Sequence, residues 1–432
     1  MLSQSTEIPS SDPALDSKDE KLDCFVTRQP IFHADGTVYG YEMLFHSYPN
    51  AVVHESEARL ASLLVISNSF FSAGAGRLLF GRKAFLDFPG DMLMAGVPLL
   101  IPRKLVVVQI PDTVQIDPML LSACASLKDN GYFLALNNFS GQSKLEPLLN
   151  LVDIIKVNFQ AVPAADRRRL AIEHQKRGAT MLADKVDTQE DFESARSGGY
   201  SYFQGFFFAR PKAVSGRELG AFKRNYLRIL AEIHRPDLDF GEIANLIKQE
   251  PTLSAKLLQY INSAVFSFRG NVSSLQQALG LLGERTVRHW VSAAALTNLA
   301  KEKPNELVIQ SMLRARFCES IGRHANLSVR QQPTLFQIGM FSLLDAMLDR
   351  PLDEVLSGLP VASNVCSVLL GSAPAADRWS QVLASVRAYE AGDWNALSAS
   401  ASGLGVPNDV LPQLYLESVE WSSDVFRSAS VA

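Results

Sequence analysis

The chain has 432 residues, of which 47% are hydrophobic and 20% charged, and its formal net charge is −4. The apolar fraction is typical of a globular protein, and the length predicts two or three domains. The acidic balance argues against DNA binding, and no apolar run reaches the roughly 18 residues of a membrane span. Four widely spaced cysteines indicate neither a disulfide framework nor a zinc site. Without a secretion signal in its first residues, the protein is expected to be cytoplasmic.

Residues 1–23 carry six acids and two lysines without the period of a helix or strand, and they predict a disordered tail. From Cys24 to about residue 212, short apolar runs alternate with amphipathic segments such as 55–71 and 163–178, the pattern of a parallel sheet covered by helices. Seven or eight strand candidates favour a closed barrel over a doubly wound sheet. The candidates start at Cys24 and continue at residues 38–45, 84–88, 104–110, 132–136, 153–159, 179–186 and 202–208.

The pattern changes after Pro211 to apolar residues spaced three and four apart, as in Ile243, Leu246 and Ile247. Residues 213–427 therefore predict a second, all-helical domain, so that the fold class is α/β plus all-α. The polar link around Gly216 is short, and we expect the two halves to pack together.

Several strings resemble known domains. GYEMLF, NNFSG, DIIKVNF and YFQGFFFARP occur in the order and spacing of an EAL-type cyclic di-GMP phosphodiesterase domain. LSAKLLQYINSAVF, LQQALGLLG and LFQIGMFSLLDAML resemble the HDOD domain, a relative of HD hydrolases. Together they resemble the two-domain EAL–HDOD signal-transduction family, which implies a TIM-like EAL barrel at 24–212 and an HDOD domain at 213–427. INSAVF, residues 261–266, is interpreted as a packing signature, with a contact site as the alternative.

Active EAL enzymes hydrolyse a phosphodiester with two divalent ions, which carboxylates hold at the carboxyl ends of the barrel strands. The resemblance places the vestigial site at Glu42, Asp87, Gln109, Asn137, Asn138, Lys156, Asn158, Asp184 and Gln204. Amides replace carboxylates at 109, 137 and 138, one acid is gained at 87, and a shorter acid stands at 184. Amide oxygens lack the negative charge that offsets the free-energy cost of removing water from a magnesium ion. We therefore expect no catalysis, no metal and no cofactor.

Each position also has a structural interpretation. Glu42 either bonds Lys156 across the barrel mouth or retains a metal ion. The asparagines at 137 and 138 are expected to satisfy each other and nearby backbone groups, since buried polar atoms are rarely unpaired. Gln204 is interpreted as at least equally structural. Arg28 and Lys156 are candidate contacts for a ligand phosphate, although a strand-end cap is the preferred interpretation of Arg28, Gln29 and Pro30.

The helical half shows no HD-type metal site. Such sites need a histidine, an adjacent His-Asp pair and a further aspartate, but the chain has no His-Asp dipeptide, and His234, His289 and His324 lie in separate segments. We therefore expect a non-catalytic bacterial regulator that binds other signalling proteins through its HDOD domain, with output in motility, biofilm or virulence. The alternatives are a non-hydrolysing cyclic di-GMP receptor, although weak or absent binding is expected, and a residual phosphodiesterase.

Overall fold

The computed structural model describes residues 24–47, 79–211, 220–235, 237–263, 266 and 272–431. Three features predicted from the sequence lie outside these residues: the tail 1–23, the candidate helix over 55–71 and the link around Gly216. The INSAVF string is described only at 261–263 and 266.

Eight strands close into a barrel in chain order, as predicted. The strands are β1 Cys24–His33, β2 Val38–Ser47, β3 Lys83–Asp87, β4 Val106–Ile110, β5 Phe133–Leu136, β6 Ile154–Asn158, β7 Thr180–Asp184 and β8 Tyr202–Gln204. The predicted parallel arrangement holds for β2 to β8, whereas β1 is antiparallel to both of its neighbours. Strand β1 enters β2 through a hairpin at 34–37, and so short a connection joins only antiparallel strands.

The last strand is shorter than its apolar run predicts. It ends at Gln204, and Phe206–Ala209 form a 3-10 turn in place of the strand expected to residue 208. Gly205 between them has a φ of 146°, and a Cβ at this position would lie 2.1 Å from the Val186 carbonyl oxygen. Only glycine fits here, because the backbone both turns and passes another strand end at close range.

Helices cover the outside of the barrel. They are α1 Gly90–Met94, α2 Pro118–Asp129, α3 Ala164–Gln175 and α4 Gln189–Ser197, with 3-10 turns at Val97–Leu100 and Ser143–Leu148. Asp117 and Thr188 cap α2 and α4 by accepting hydrogen bonds from the backbone N–H groups of Leu120 and Asp191. These caps fix where each helix begins.

The second half is helical throughout its described residues, as predicted. Its helices are α5 Ala221–Glu232, α6 Phe240–Lys248, α7 Pro251–Ile261, α8 Leu275–Leu282, α9 Glu284–Leu299, α10 Asn305–His324, α11 Gln332–Phe341, α12 Leu344–Leu348, α13 Leu352–Ser357, α14 Ser363–Leu369, α15 Arg378–Ala391, α16 Trp394–Leu404 and α17 Leu411–Val431. Among the residues that the model describes, no helix has the length and apolar character to cross a bilayer.

The helical half packs on the first part of β1. Phe25 stacks on Trp394 with ring centroids 4.4 Å apart. The Tyr389 hydroxyl donates a hydrogen bond to the Val26 carbonyl at 2.9 Å, and the Arg28 N–H donates to the Tyr415 hydroxyl at 3.3 Å. Strand β8 pairs with β1 only at residues 31–33, so these hydroxyls satisfy backbone groups that β8 leaves unpaired.

Candidate functional site at the barrel mouth

A polar layer lies directly above an apolar layer inside the barrel. The apolar layer comprises Ile31, Phe85, Val107, Ala135, Ile154 and Leu182. Side chains alternate along a strand, so the residue two positions later faces the same way. In β3 to β7 that rule turns the following side chains inward: Asp87, Gln109, Asn137, Lys156 and Asp184. The sequence-predicted site is thus brought together by strand period and register.

Glu42 is the centre of the layer. Its Oε1 accepts hydrogen bonds from Lys156 Nζ at 2.6 Å and Gln109 Nε2 at 2.8 Å, and its Oε2 accepts one from Gln204 Nε2 at 2.5 Å. Burial would raise the pKa of Glu42, but the Lys156 charge and these donors outweigh burial and lower it. The expected bond between Glu42 and Lys156 is confirmed.

Lys156 places a fixed positive charge between carboxylates. Its ammonium is buried and also lies 3.6 Å from Asp184 Oδ2. Burial would lower the pKa of Lys156, but the charges of Asp184, Glu42 and Asp87 raise it above its usual range. Burial raises the pKa of Asp184, in spite of the neighbouring lysine. The lysine is therefore held protonated by the acids around it.

Asp87 accepts hydrogen bonds from the side-chain amides of two neighbouring residues. Gln109 Nε2 lies 3.1 Å from Asp87 Oδ1, and Asn137 Nδ2 lies 3.2 Å from the same oxygen. Gln109 thus donates to two carboxylates, Glu42 and Asp87. An amide can bridge two acids in this way, whereas a carboxylate in its place would repel both.

Asn138 has a different role from the one expected. Its Nδ2 donates to Asp112 Oδ2 at 3.1 Å, and its Oδ1 accepts from Asn158 Nδ2 at 3.3 Å. Because Asn137 bonds Asp87 and Asn138 bonds Asp112, the expectation that the two asparagines satisfy each other is wrong. The cause is the left-handed backbone of Asn138, with a φ of 52°, which turns the chain at the end of β5.

Two further residues belong to the mouth: Asp112, which the sequence analysis missed, and Gln29, which it considered only with Arg28 and Pro30. Asp112 follows the end of β4 and contacts Asn138, as described above. Gln29 lies opposite Glu42 in the register between β1 and β2, and its Oε1 accepts from Gln204 Nε2 at 3.0 Å. An acid just beyond a strand end could have identified Asp112. The antiparallel direction of β1, which places Gln29 here, has no comparable signal.

Arg28 does not join Lys156 at the mouth. Its side chain is buried against the helical half, where the guanidinium lies 3.6 Å from Glu306 Oε1 and over the rings of Tyr41 and Phe80 at 4.6 and 5.2 Å. The structure therefore separates the two candidate contacts, because Gln29 takes the inward position and side-chain alternation turns Arg28 outward.

The donor set does not fit a pair of divalent ions. Within the described residues, no group of three or more histidine, cysteine, aspartate or glutamate side chains is arranged to hold a metal ion. The carboxylate oxygens of Glu42 and Asp87 instead accept hydrogen bonds from lysine and amide N–H groups. A divalent ion would need oxygen ligands at the positions around these carboxylates that the N–H groups occupy.

The histidines of the helical half do not converge on a metal either. His234 Nε2 lies 2.8 Å from the Ser292 hydroxyl, and His324 Nδ1 lies 3.1 Å from the Ser320 carbonyl oxygen. His289 stacks on Phe336. Burial lowers the pKa of His234 well below its usual range, so its ring is neutral and packed in the core.

Two domain families match the chain in the predicted order. The EAL domain matches residues 94–211, a match that begins after Glu42 and Asp87, and the HDOD domain matches residues 219–344. The uncharacterized protein YuxH of Bacillus subtilis is 30% identical over 406 residues, covering 92% of this chain and 97% of that protein. The cyclic di-GMP phosphodiesterase CdgJ of Vibrio cholerae is 31% identical over 422 residues, covering 95% of each.

Solved structures similar to this chain include YkuI of Bacillus subtilis, a protein with an EAL domain in complex with cyclic di-GMP and calcium. Its TM-score is 0.37 at 18% identity, over 65% of this chain and 72% of that one. An EAL domain protein of Listeria monocytogenes gives a TM-score of 0.36 at 14% identity, over 43% and 87%. With two relatives matched over almost their whole length and both domains in sequence, the chain belongs to the EAL–HDOD family.

Proposed function

We propose that this protein is a non-catalytic regulator in cyclic di-GMP signalling that acts by binding other signalling proteins, with output in motility, biofilm or virulence. One observation carries the proposal: the acids of the barrel mouth are hydrogen-bonded to Lys156 and to the amides of Gln109, Asn137 and Gln204. The EAL domain relates the chain to cyclic di-GMP, and the composition of the mouth argues against hydrolysis.

The charge at the mouth supports this proposal. Two-ion hydrolysis needs carboxylates that hold both ions, activate a water and stabilise the leaving oxygen. Here Gln109 and Asn137 are neutral, and their N–H groups are directed to the remaining acids. Converting the site would require breaking these bonds and supplying several acids. Cyclic di-GMP binding is accordingly proposed to be weak or absent, since the ion bridge to its phosphates lacks ligands.

A residual phosphodiesterase is the second candidate, favoured by one observation. CdgJ, which is named a cyclic di-GMP phosphodiesterase, is 31% identical over nearly the full length. Glu42 and Lys156 are present here in contact with each other. A receptor that binds cyclic di-GMP without cleaving it would use the same mouth.

Purified full-length protein incubated with cyclic di-GMP and magnesium or manganese separates these functions. We expect no linear product above an E42A control, because the control removes the one remaining family glutamate of the layer. Turnover above that control would establish the phosphodiesterase. Calorimetric titration tests the receptor: a Kd at or below about 1 μM, equivalent to roughly −8 kcal/mol, would overturn weak or absent binding.

The partner surface is proposed to lie on the helical half. Packed amphipathic helices commonly dock partner segments in the grooves between them. The barrel is fixed to the helical half through β1. Full-length protein with a single exposed apolar residue changed to aspartate can locate the surface. Val329, 81% exposed in the helical half, and Met119, 70% exposed on the barrel, form a matched pair. If M119D loses a captured partner that V329D retains, the assignment to the helical half is wrong.

A further inference from the structure

Three arginines surround one buried carboxylate on the surface of the helical half. Glu319 on α10 is 6% exposed, and Arg316 hydrogen-bonds its Oε2. Arg285 of α9 and Arg323 of α10 approach the other oxygen at 3.5 and 3.6 Å. We name Arg285, Arg316 and Arg323 the arginine cluster. His289 also lies 3.9 Å from Glu319.

One of these arginines is enough to neutralise Glu319, so the other two are additional positive charges. Arg316 alone supplies a hydrogen-bonded cation for Glu319. The side chains of Arg285 and Arg323 are 60% and 43% exposed and remain at ion-pair distance, and such exposed pairs contribute little to stability. Three cations facing one anion leave a local positive surplus, which exposed Glu417 of α17 reduces only in part.

This positive surplus affects the pKa values of neighbouring groups. Burial, followed by the charges of Arg285, Arg316, Arg288 and Arg323, lowers the pKa of His289 to about 3, so the ring is neutral at physiological pH. The pKa of Arg323 is also lowered, by burial and by the positive charges of Arg316 and Arg285. The negative charges of Glu319 and Glu417 act in the opposite direction and do not outweigh them. An anion placed over the cluster would relieve this repulsion.

We propose that the arginine cluster is a docking site for an acidic peptide segment, and that its occupant is residues 1–23 of the same chain. That segment has six acids and two lysines and therefore complements the cluster in charge. Trp421 beside Arg316 adds an aromatic surface, and tryptophan and arginine are the residue types that most often dominate binding energy at interfaces. The inference is independent of the chemistry of the barrel mouth.

The segment is attached within reach of the cluster. It ends at β1, where Phe25 contacts Tyr389 at 5.8 Å between ring centroids, and Tyr389 contacts Phe317 of α10 at 5.2 Å. Arg316 and Arg323 stand on the same helix, and Arg323 lies about 10 Å beyond Arg316 along its axis. A chain of 23 residues spans up to roughly 75 Å. Covalent attachment over this distance gives a high effective concentration of the segment.

Arginine-specific labelling with phenylglyoxal tests the proposal on the full chain. The parent is compared with a variant in which the segment's acids become amides: E7Q, D12N, D16N, D19N, E20Q and D23N. We expect the labelling rates of Arg285 and Arg323, read by mass spectrometry, to rise about threefold or more in the variant, because a tethered segment would occupy the site most of the time. Arg169, 62% exposed on the barrel, is the control and should not change.

Two further measurements complete the test. Moderate salt, about 0.5 M, should raise the rates in the parent to those of the amide variant by screening the charges. A synthetic peptide of residues 1–23, added to the amide variant, should restore protection, whereas the same peptide with amides should not. Equal rates in parent and variant, or protection by inorganic phosphate without protection by the acidic peptide, would overturn the proposal.

Discussion

The Tyr41 hydroxyl donates a 2.8 Å hydrogen bond to Oε2 of Glu306, and this bond joins the barrel to the first turn of α10. Both residues are buried. Tyr41 directly precedes Glu42, so β2 carries the mouth carboxylate on its inner face and the domain contact on its outer face. A displacement of β2 at the mouth therefore acts directly on the packing of the helical half.

Glu306 should make the stability of this contact depend on pH. Burial raises the pKa of Glu306, although Arg28 and the Tyr41 hydrogen bond act in the opposite direction. The folded protein thus holds this proton more tightly than the unfolded chain. The stabilisation is complete below the unfolded pKa, near 4.5, and is lost as pH rises through the folded pKa.

E306Q is uncharged at every pH and does not lose this contribution. We expect the free energy of unfolding of E306Q, relative to the parent, to increase as pH rises above 4.5, measured by urea denaturation at several pH values. The control is E354Q, at a side chain that is 55% exposed. A relative stability that stays constant from pH 4.5 to 8 would contradict the role assigned to Glu306.

The tyrosine hydroxyls that satisfy β1 should be needed for the two halves to stay packed. The double variant Y389F/Y415F leaves backbone groups of Val26 and Arg28 buried without those partners. Each unsatisfied group costs about 1–3 kcal/mol, so the free energy of unfolding should fall by at least about 2 kcal/mol.

The control is Y260F. The structure shows no hydrogen bond for the Tyr260 hydroxyl within the described residues, although its ring stacks on Trp290 at 5.0 Å. We expect Y260F to change the free energy of unfolding by less than about 0.5 kcal/mol. Equal effects of the single control and the double variant would show that the bonds to β1 are not important for stability.

Lys156 and Glu42 should behave as one energetic unit. K156M removes the positive charge and leaves Glu42, 4% exposed, as a buried anion without its cation. Breaking a buried pair in this way costs about 3–5 kcal/mol. The added substitution E42Q removes the stranded charge, so the double variant should be more stable than K156M alone. Urea denaturation of the four proteins gives the coupling energy, and simple additivity would rule out the pair.

Placing carboxylates at positions 109, 137 and 138 should create metal affinity. In the triple variant Q109E/N137D/N138D, new acids face Glu42, Asp87 and Asp112, so repulsion should lower the melting temperature in the presence of a chelator. Manganese should then raise the melting temperature of the variant and leave that of the parent unchanged. A manganese-dependent increase in the parent would show that the natural residues already bind the ion.

The barrel, the helical half and most residues of the mouth could be predicted from the order of residues in the chain. Strands that are buried on both faces need apolar residues on both faces. In β3 to β7, each inward-facing apolar residue is followed two positions later by a polar residue, and these polar residues form the mouth. Asp87, Gln109 and Lys156 could therefore be placed from a local repeat and the family strings. The close contact of Glu42 with Lys156 was expected from the family resemblance, since Glu42 lies on β2 outside this pattern.

Which face each residue of β1 presents depends on how the strand pairs with β2 and packs on the helical half. Arg28 and Gln29 are adjacent, and nothing local shows which one faces the mouth. The antiparallel hairpin pairs Gln29 with Glu42 and turns Arg28 toward Glu306, a residue 278 positions later in the chain. Partners so distant in sequence are chosen by strand register and domain packing, because a shift of one residue moves every side chain of a strand to the opposite face.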